Sequence, residues 1–232
     1  MKIFKVKGQL KACFSPKEIA NLLIFKFLTQ LFSAEKLKNE PYDSIAVSDY
    51  IKRLANHSAD STDYELYTSI LNLYEQFEKN CEFCFNLKNN FNPQVNKITS
   101  IDDLYRYRED PPDIIVRYKN NFYEFELKRY RDELVLDKIY TFVKKKVIMH
   151  YSGKSNFLII LQLKPNSNID LDIFKKLHEN LKKEKNQPGI IGFSLNNNNK
   201  EMILIRVLPE LNMSKRPYNE INAFADILHS DT

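Results

Sequence analysis

The stretch DIIVRYKNNFYEFELKRY, residues 113–130, decides the fold that this sequence predicts. Its first part, 113–119, is rich in β-branched residues, and within 122–130 apolar and charged side chains alternate from Tyr123 to Lys128. Such alternation is typical of strands that bury one face. Between them, Asn120 and Asn121 tolerate the positive φ angles of a tight turn. We therefore predict a β-hairpin with Asn120-Asn121 as its two-residue loop.

The segments after the hairpin extend it into a mixed sheet. Apolar residues at helical spacing predict a helix over 134–147, and the apolar run 157–163 predicts a strand buried on both faces. A second amphipathic helix over 169–185 follows, and then a hairpin of 189–195 with 202–208. A hairpin that leads through a crossover helix to a buried strand indicates an α/β fold, a mixed β-sheet flanked by helices.

The first hundred residues form a mainly helical N-terminal region in this interpretation. Ser15 and Glu18 match a capping box, and apolar residues recur at helical spacing behind them. A short helix near 48–56 and a longer one after Thr62 are predicted next. We therefore divide the chain into a helical region, 1–100, and an α/β core, 101–232.

Composition permits several classes of function. The chain has 232 residues and a net charge of +5, from 35 basic and 30 acidic residues. This mild excess is compatible with nucleic-acid binding but does not establish it. The N-terminus lacks the apolar segment of a signal peptide, and no apolar run is long enough to span a membrane. We expect a soluble, cytoplasmic protein with no membrane partner.

The three cysteines are Cys13, Cys81 and Cys84. An odd, sparse set argues against a disulfide framework and fits a reducing compartment. Cys81 and Cys84 form a C-x-x-C pair, but no second pair completes a tetrahedral zinc site. We expect both to pack in the interior.

The predicted hairpin carries a charged face. Strand residues alternate sides, so Glu124, Glu126 and Lys128 share one side of the second strand. Three ionised groups would be costly in a core, so this face is either solvated or serves a ligand. With the expected loop, Asp113 lies opposite Lys128 and diagonally near Glu126. Two carboxylates there can hold Mg²⁺, and the lysine can orient or deprotonate water or stabilise charge on a phosphate.

The hairpin resembles a known family at this point. Pro112-Asp113, twelve further residues and then Glu126-Leu127-Lys128 is similar to the motif of the PD-(D/E)XK nuclease superfamily, the restriction-endonuclease-like enzymes. The motif is short and degenerate, and the resemblance covers only about 101–163. Its context, two adjacent strands followed by a helix and a buried strand, matches the core of that family.

The resemblance implies roles for individual residues. Asp113, Glu126 and the backbone carbonyl of Leu127 would ligate Mg²⁺, with Mn²⁺ as a substitute, and Lys128 would assist the nucleophilic water. Many family members add a glutamate from a preceding helix. The alternatives for that additional acidic residue are Glu65, which also has a capping-box explanation, Glu75, and Glu124, which a solvated role explains as well.

Basic residues near the motif are candidates for contacts with nucleic acid. They are Arg106, Arg108, Arg129, Arg131, Lys144 and Lys145. For each cluster a solvated surface is the simpler explanation.

We therefore expect a Mg²⁺-dependent endonuclease that hydrolyses DNA, most simply duplex DNA, as a type II restriction endonuclease does. A homodimer would provide two active sites for two strands. The alternatives are another nuclease of the superfamily (a junction resolvase, an exonuclease or an RNA-directed enzyme) and a non-catalytic nucleic-acid-binding protein with the same fold.

Overall fold

The computed structural model of the protein describes residues 1–31, 62–77, 80–149, 156–163, 170–197 and 201–217. They form an α/β structure, a nine-stranded mixed sheet flanked by five helices. The short helix expected near 48–56 lies outside the described residues. None of the described helices is long and apolar enough to cross a membrane.

The strands are neighbours in the sheet in the order in which they occur along the chain. All pairs are antiparallel except those of the sixth strand, which runs parallel to the fifth and the seventh. Their bounds are β1 Lys2–Val6, β2 Gln9–Phe14, β3 Glu82–Asn86, β4 Ile114–Tyr118, β5 Asn121–Tyr130, β6 Asn156–Leu161, β7 Ile191–Asn197, β8 Glu201–Leu208 and β9 Asn212–Pro217.

The helices cover the two faces of the sheet unequally. Their bounds are α1 Pro16–Leu31, α2 Thr62–Gln76, α3 Ile101–Tyr107, α4 Leu136–Val143 and α5 Asp172–Leu181, and a π-helical segment, Lys144–Ile148, continues α4. Buried residues of α1, α2 and α3 form one large cluster with the first face of the sheet. Those of α4 and α5 form the second large cluster on the other face.

The second face has a region that no described helix covers. A small third cluster of Cys13, Cys84 and Ile115 lies there, and only Phe4 and Phe122 pack against it among the described residues. All five belong to β1–β5, so this face of the N-terminal half of the sheet stays open within the described part of the chain. The alternation of β5 places Glu124, Glu126 and Lys128 on the same face.

The N-terminal region contains more sheet than expected. A mainly helical 1–100 is not confirmed, because this part contributes β1, β2 and β3 as well as α1 and α2. The β1–β2 turn uses Lys7 and Gly8, both with positive φ. β3 pairs with β4 across the expected boundary at 100/101, so the described strands of both regions form one sheet.

The β4–β5 hairpin is present, but its turn lies one residue earlier than expected. Lys119 and Asn120 have the positive φ angles of 47° and 66°, and Tyr118 pairs with Asn121. The expected Asn120-Asn121 loop is therefore wrong. The expected loop pairs each residue of β4 with a residue of β5 two positions away from its observed partner. A shift of two positions leaves every side chain on its predicted face. Hydrophobic alternation alone cannot distinguish these two registers.

The elements after the hairpin follow the sequence pattern. β6 is buried at every residue between two parallel neighbours, as a wholly apolar strand predicts. α4 and α5 fall within the predicted helices, and β7 pairs with β8 as an antiparallel hairpin. The capping box of α1 also forms, since the Ser15 N–H donates to Glu18 Oε2 at 2.8 Å.

One pair of cysteines departs from the sequence interpretation. Cys13 and Cys84 are opposite each other on β2 and β3 and form a disulfide bond. An odd count of cysteines argued against such a bond, and only the pairing of the two strands brings these distant residues together. Cys81 is buried among apolar residues, as predicted, and burial raises the pKa of its thiol to about 12.

Replacing Cys13 and Cys84 by alanine together tests this pairing. The bond closes a sequence separation of 71 residues, so its loss should lower the free energy of unfolding by about 4 kcal/mol. Urea denaturation without reductant measures this loss. In excess reductant the disulfide bond of the wild type is reduced too. The two proteins should then differ in their free energy of unfolding only by the packing contribution of two thiol groups. An equal loss in both conditions would show that no disulfide forms.

Candidate active site

The pairing of β4 with β5 places Asp113 beside Glu126. Ile114 pairs with Phe125, and continuing that register by one residue sets Asp113 opposite Glu126. The sequence interpretation had set Asp113 opposite Lys128, and the shifted turn is the reason for the difference. The correction brings the two carboxylates of the motif onto directly adjacent positions.

A backbone hydrogen bond fixes the Asp113 side chain. The Leu127 N–H donates to Asp113 Oδ2 at 2.7 Å, where β4 has not yet begun to pair. The N–H and C=O of one strand residue point toward the same neighbouring strand. The Leu127 carbonyl therefore points to the side on which the Asp113 carboxylate lies.

The Asp113 carboxyl is costly to ionise. Burial raises its pKa to about 6, and the carboxylates of Asp110 and Glu126 add to this increase. The Leu127 N–H and the guanidinium of Arg108 act in the opposite direction and lower the pKa. A group that is costly to ionise among other carboxylates is relieved when a cation binds. The electrostatics therefore suit a cation at this position.

Glu126 and Lys128 are two residues apart on the same face of β5. Lys128 Nζ lies 3.7 Å from Glu126 Oε2, and their side chains are 26% and 19% exposed. The alternation that predicted this shared face is confirmed by the packing of Phe125 and Leu127 in the cluster on the opposite face. An ammonium group thus stands next to one of the two paired carboxylates and within reach of solvent.

An open cleft of about 1410 Å³ adjoins these residues. Residues of β1, β2, β3 and β5 line it, together with Pro112 and Glu126 of the motif. Among the described residues that line it, the charged ones are Lys7, Lys11, Glu124 and Glu126. The motif thus lies at a concave surface that a large ligand can reach.

The sequence interpretation missed Lys11. This lysine is 4% exposed, and its ammonium donates to Asn86 Oδ1 at 2.6 Å. Lys11 pairs with Asn86, whose carbonyl accepts from the Glu109 N–H at 2.7 Å beyond the last β3–β4 pair, Cys84 with Ile115. The Lys11 side chain reaches the hairpin directly, since its Nζ lies 3.6 Å from Glu124 Oε1. No local pattern signals this contact, because its two residues come from distant parts of the chain.

Comparisons with protein-family models, with curated proteins and with solved structures each find no match. The assignment to the PD-(D/E)XK superfamily consequently stays a prediction that rests on the motif and its setting.

The candidates for an additional acidic residue have different surroundings. Glu65 lies on α2, and its carboxylate is 2.5 Å from the guanidinium of Arg129. Arg129 faces the side of β5 opposite to Glu126, so Glu65 lies away from the two carboxylates. Glu124 shares the face of Glu126 and lies 3.6 Å from Lys11. The side chain of Glu75 lies outside what the structure describes.

The basic candidates are dispersed as well. Arg108 is close enough to lower the pKa of Asp113, and Arg106 is exposed at the end of α3. Arg131 donates to Gln162, and Lys144 pairs with Glu184 at 3.0 Å. Lys145 is exposed in the π-helical segment. The structure thus brings Arg108 to the motif and sets Arg129 on the other face.

The residues of the motif fit a divalent cation only in part. Among the described residues, no three histidine, cysteine, aspartate or glutamate side chains converge as a metal site. Two carboxylates, those of Asp113 and Glu126, are neighbours here. The Leu127 carbonyl points toward the side on which the Asp113 carboxylate lies. Such a set suits Mg²⁺, which binds through one or two carboxylates and keeps several waters.

Replacing Asp113 by asparagine tests how much the ionised carboxylate destabilises the fold. The amide oxygen can still accept from the Leu127 N–H, but no charge has to be buried. In chelator, the variant should be more stable than the wild type by about 1–2 kcal/mol above pH 6, after allowance for solvent screening. Because folding raises the pKa of Asp113 from 3.8 to about 6, the wild type loses stability as the pH rises through that interval.

Thermal or urea unfolding at several pH values measures this difference, which should vanish near pH 3. Excess Mg²⁺ should raise the unfolding temperature of the wild type but not of the variant, since a cation that binds only the folded state stabilises it. Equal Mg²⁺ responses of the two proteins would remove Asp113 from the cation site.

Proposed function

We propose that this protein is a Mg²⁺-dependent nuclease that hydrolyses DNA phosphodiester bonds. The observation that carries the proposal is the meeting of three groups at one place. Asp113 directly precedes β4 and accepts from the Leu127 N–H beside Glu126 of β5, and the Lys128 ammonium lies 3.7 Å from the Glu126 carboxylate. Two oxygen ligands beside a cationic donor form a set suited to phosphodiester hydrolysis.

The residues of the chain divide the work in the following way. Asp113 and Glu126 would hold the cation, and the Leu127 carbonyl would complete its protein ligands. The Leu127 N–H keeps the Asp113 carboxylate in place, because one of its oxygens accepts that hydrogen bond at 2.7 Å. A bound Mg²⁺ would supply charge stabilisation at a phosphate oxygen and would make a bound water more acidic.

Lys128 acts on the water or the phosphate. As an ammonium it has three donors and no acceptor, so it orients the attacking water or donates to a phosphate oxygen. In that form it stabilises the negative charge that grows on the phosphate as the bond to the leaving oxygen breaks. Glu126 holds the ammonium on the side where the cation would bind.

The finer role that we propose is that of a site-specific endonuclease of the restriction type, acting on duplex DNA, with a homodimer to cut both strands. This role rests on analogy with the superfamily that the motif resembles. Assays on plasmid, single-stranded DNA and RNA distinguish the alternatives. Another nuclease of that superfamily would give a different set of products, and a non-catalytic binding protein would give none. Discrete plasmid fragments support the site-specific enzyme.

Replacing Lys128 by alanine should lower the rate of DNA cleavage by about 100-fold or more, because the donor to the reacting groups is lost. DNA binding should persist within about fivefold, since a single partly exposed charge is removed. Plasmid cleavage with Mg²⁺ and filter binding in chelator measure the two quantities.

Lys175→Ala is the matched control. Lys175 also lies beside a carboxylate, 2.7 Å from Asp172, but on α5 and away from the cleft. This variant should cleave at the wild-type rate. Full activity of Lys128→Ala would refute the role given to the lysine, and no Mg²⁺-dependent cleavage of any substrate by the wild type would refute the nuclease.

A further inference from the structure

We infer that Lys11 and Lys7 bind the phosphates of the substrate strand, and that this strand leaves the reaction centre across the open face of β1–β5. The inference takes its ligand, a DNA strand, from the proposed function. It adds a path and two binding residues that lie far from the motif in sequence.

The strand pairs next to Lys11 give the direction of this path. Cys13, two residues after Lys11, pairs with Cys84, Cys84 pairs with Ile115, and Ile115 pairs with Glu124, two residues before Glu126. Opposite residues of antiparallel strands share a face. The Lys11 side chain therefore lies on the face of Glu126, and both residues line the same cleft.

Lys11 keeps capacity to bind an anion. Its ammonium has three donors, of which one reaches Asn86 Oδ1 at 2.6 Å. Glu124 Oε1 is 3.6 Å away, which is long for a hydrogen bond, and the Glu124 side chain is 59% exposed. Glu124 can turn into solvent when a phosphate approaches. The buried position makes the remaining donors strong binding groups, because the local dielectric constant is low.

Lys7 extends the path to the end of the β1–β2 hairpin. It is exposed in the turn, it lines the cleft, and no ion-pair partner for it occurs among the described residues. A cation of this kind is suited to a backbone phosphate, which positions a strand without reading its bases.

Two amide side chains of the cleft, those of Asn156 and Gln9, have structural roles instead. Asn156 donates to the Glu124 carbonyl at 3.0 Å and accepts from the Ile190 N–H at 2.9 Å. Gln9 donates to the Leu87 carbonyl and to Glu109. With these groups engaged by the protein, the lysines are the groups of the cleft suited to a polyanion.

The dependence of DNA binding on salt tests the path. Fluorescence anisotropy in chelator would measure the affinity for a short labelled duplex over a series of KCl concentrations. Each lost phosphate contact reduces the slope of log K against log salt by about 0.9. We expect that reduction for Lys7→Ala and for Lys11→Met, with affinity falling about threefold and about tenfold respectively.

Lys5→Ala is the matched control, with the same charge on the same hairpin. Lys5 pairs with Leu10, which packs in the cluster on the opposite face, so its removal should leave the slope unchanged. Lys11→Met leaves Asn86 without its donor and can destabilise the fold, and a thermal melt of each variant checks this. Lys7 is exposed in a turn, so Lys7→Ala alone keeps the test decisive.

Glu124→Gln separates two roles of that residue. As the counter-ion of Lys11, its neutralisation should strengthen DNA binding in chelator about threefold. As a metal ligand, its neutralisation would leave binding in chelator unchanged and weaken the response to Mg²⁺. The second result would overturn its assignment to Lys11.

The outcomes distinguish this inference from the proposed function. Unchanged slopes for folded Lys7→Ala and Lys11→Met overturn the path, even if the wild type cleaves DNA. Reduced slopes together with no cleavage support the path and refute the catalytic function. A wild type that binds no DNA overturns the path directly.

Discussion

The pairing of β4 with β5 is the constraint on which the candidate site depends. β4 begins at Ile114, one residue after Asp113, so the Leu127 N–H meets the Asp113 carboxylate at the start of the paired strand. A backbone donor thus holds a side chain that the local electrostatics disfavour. The aligned carboxylates, the nearby ammonium and the direction of the Leu127 carbonyl all follow from this single register.

Helices cover the two faces of the sheet unequally, and this leaves the charged residues of the hairpin beside a cleft. Two large clusters fill the first face and the C-terminal half of the second face. β5 crosses between these regions: Phe125 packs under the helices of one face, and Tyr130 packs in the cluster of the other. Glu126 and Lys128 lie between Phe122 and Tyr130, beside the open cleft. A rigid strand therefore holds these ionised groups partly exposed, with 26% of the Lys128 side chain and 19% of the Glu126 side chain accessible to solvent.

Much of this architecture is encoded locally. The strict alternation after Phe122 predicts which side chains of β5 share a face, and the run 157–163 predicts a strand buried on both faces. Periodicity is a local property, so it survives in any tertiary arrangement that buries the apolar side. The motif residues Asp113, Glu126 and Lys128 could therefore be placed at the end of one hairpin from the sequence.

The sequence by itself determined the hairpin, the charged face of β5 and the mixed sheet. Only the tertiary structure decided the turn at Lys119-Asn120, because a slip of that size changes no side chain's face. It also decided the three N-terminal strands, the Cys13–Cys84 bond and the contact of Lys11 with Glu124. These features depend on contacts between residues far apart in the chain, and local periodicity cannot predict such contacts.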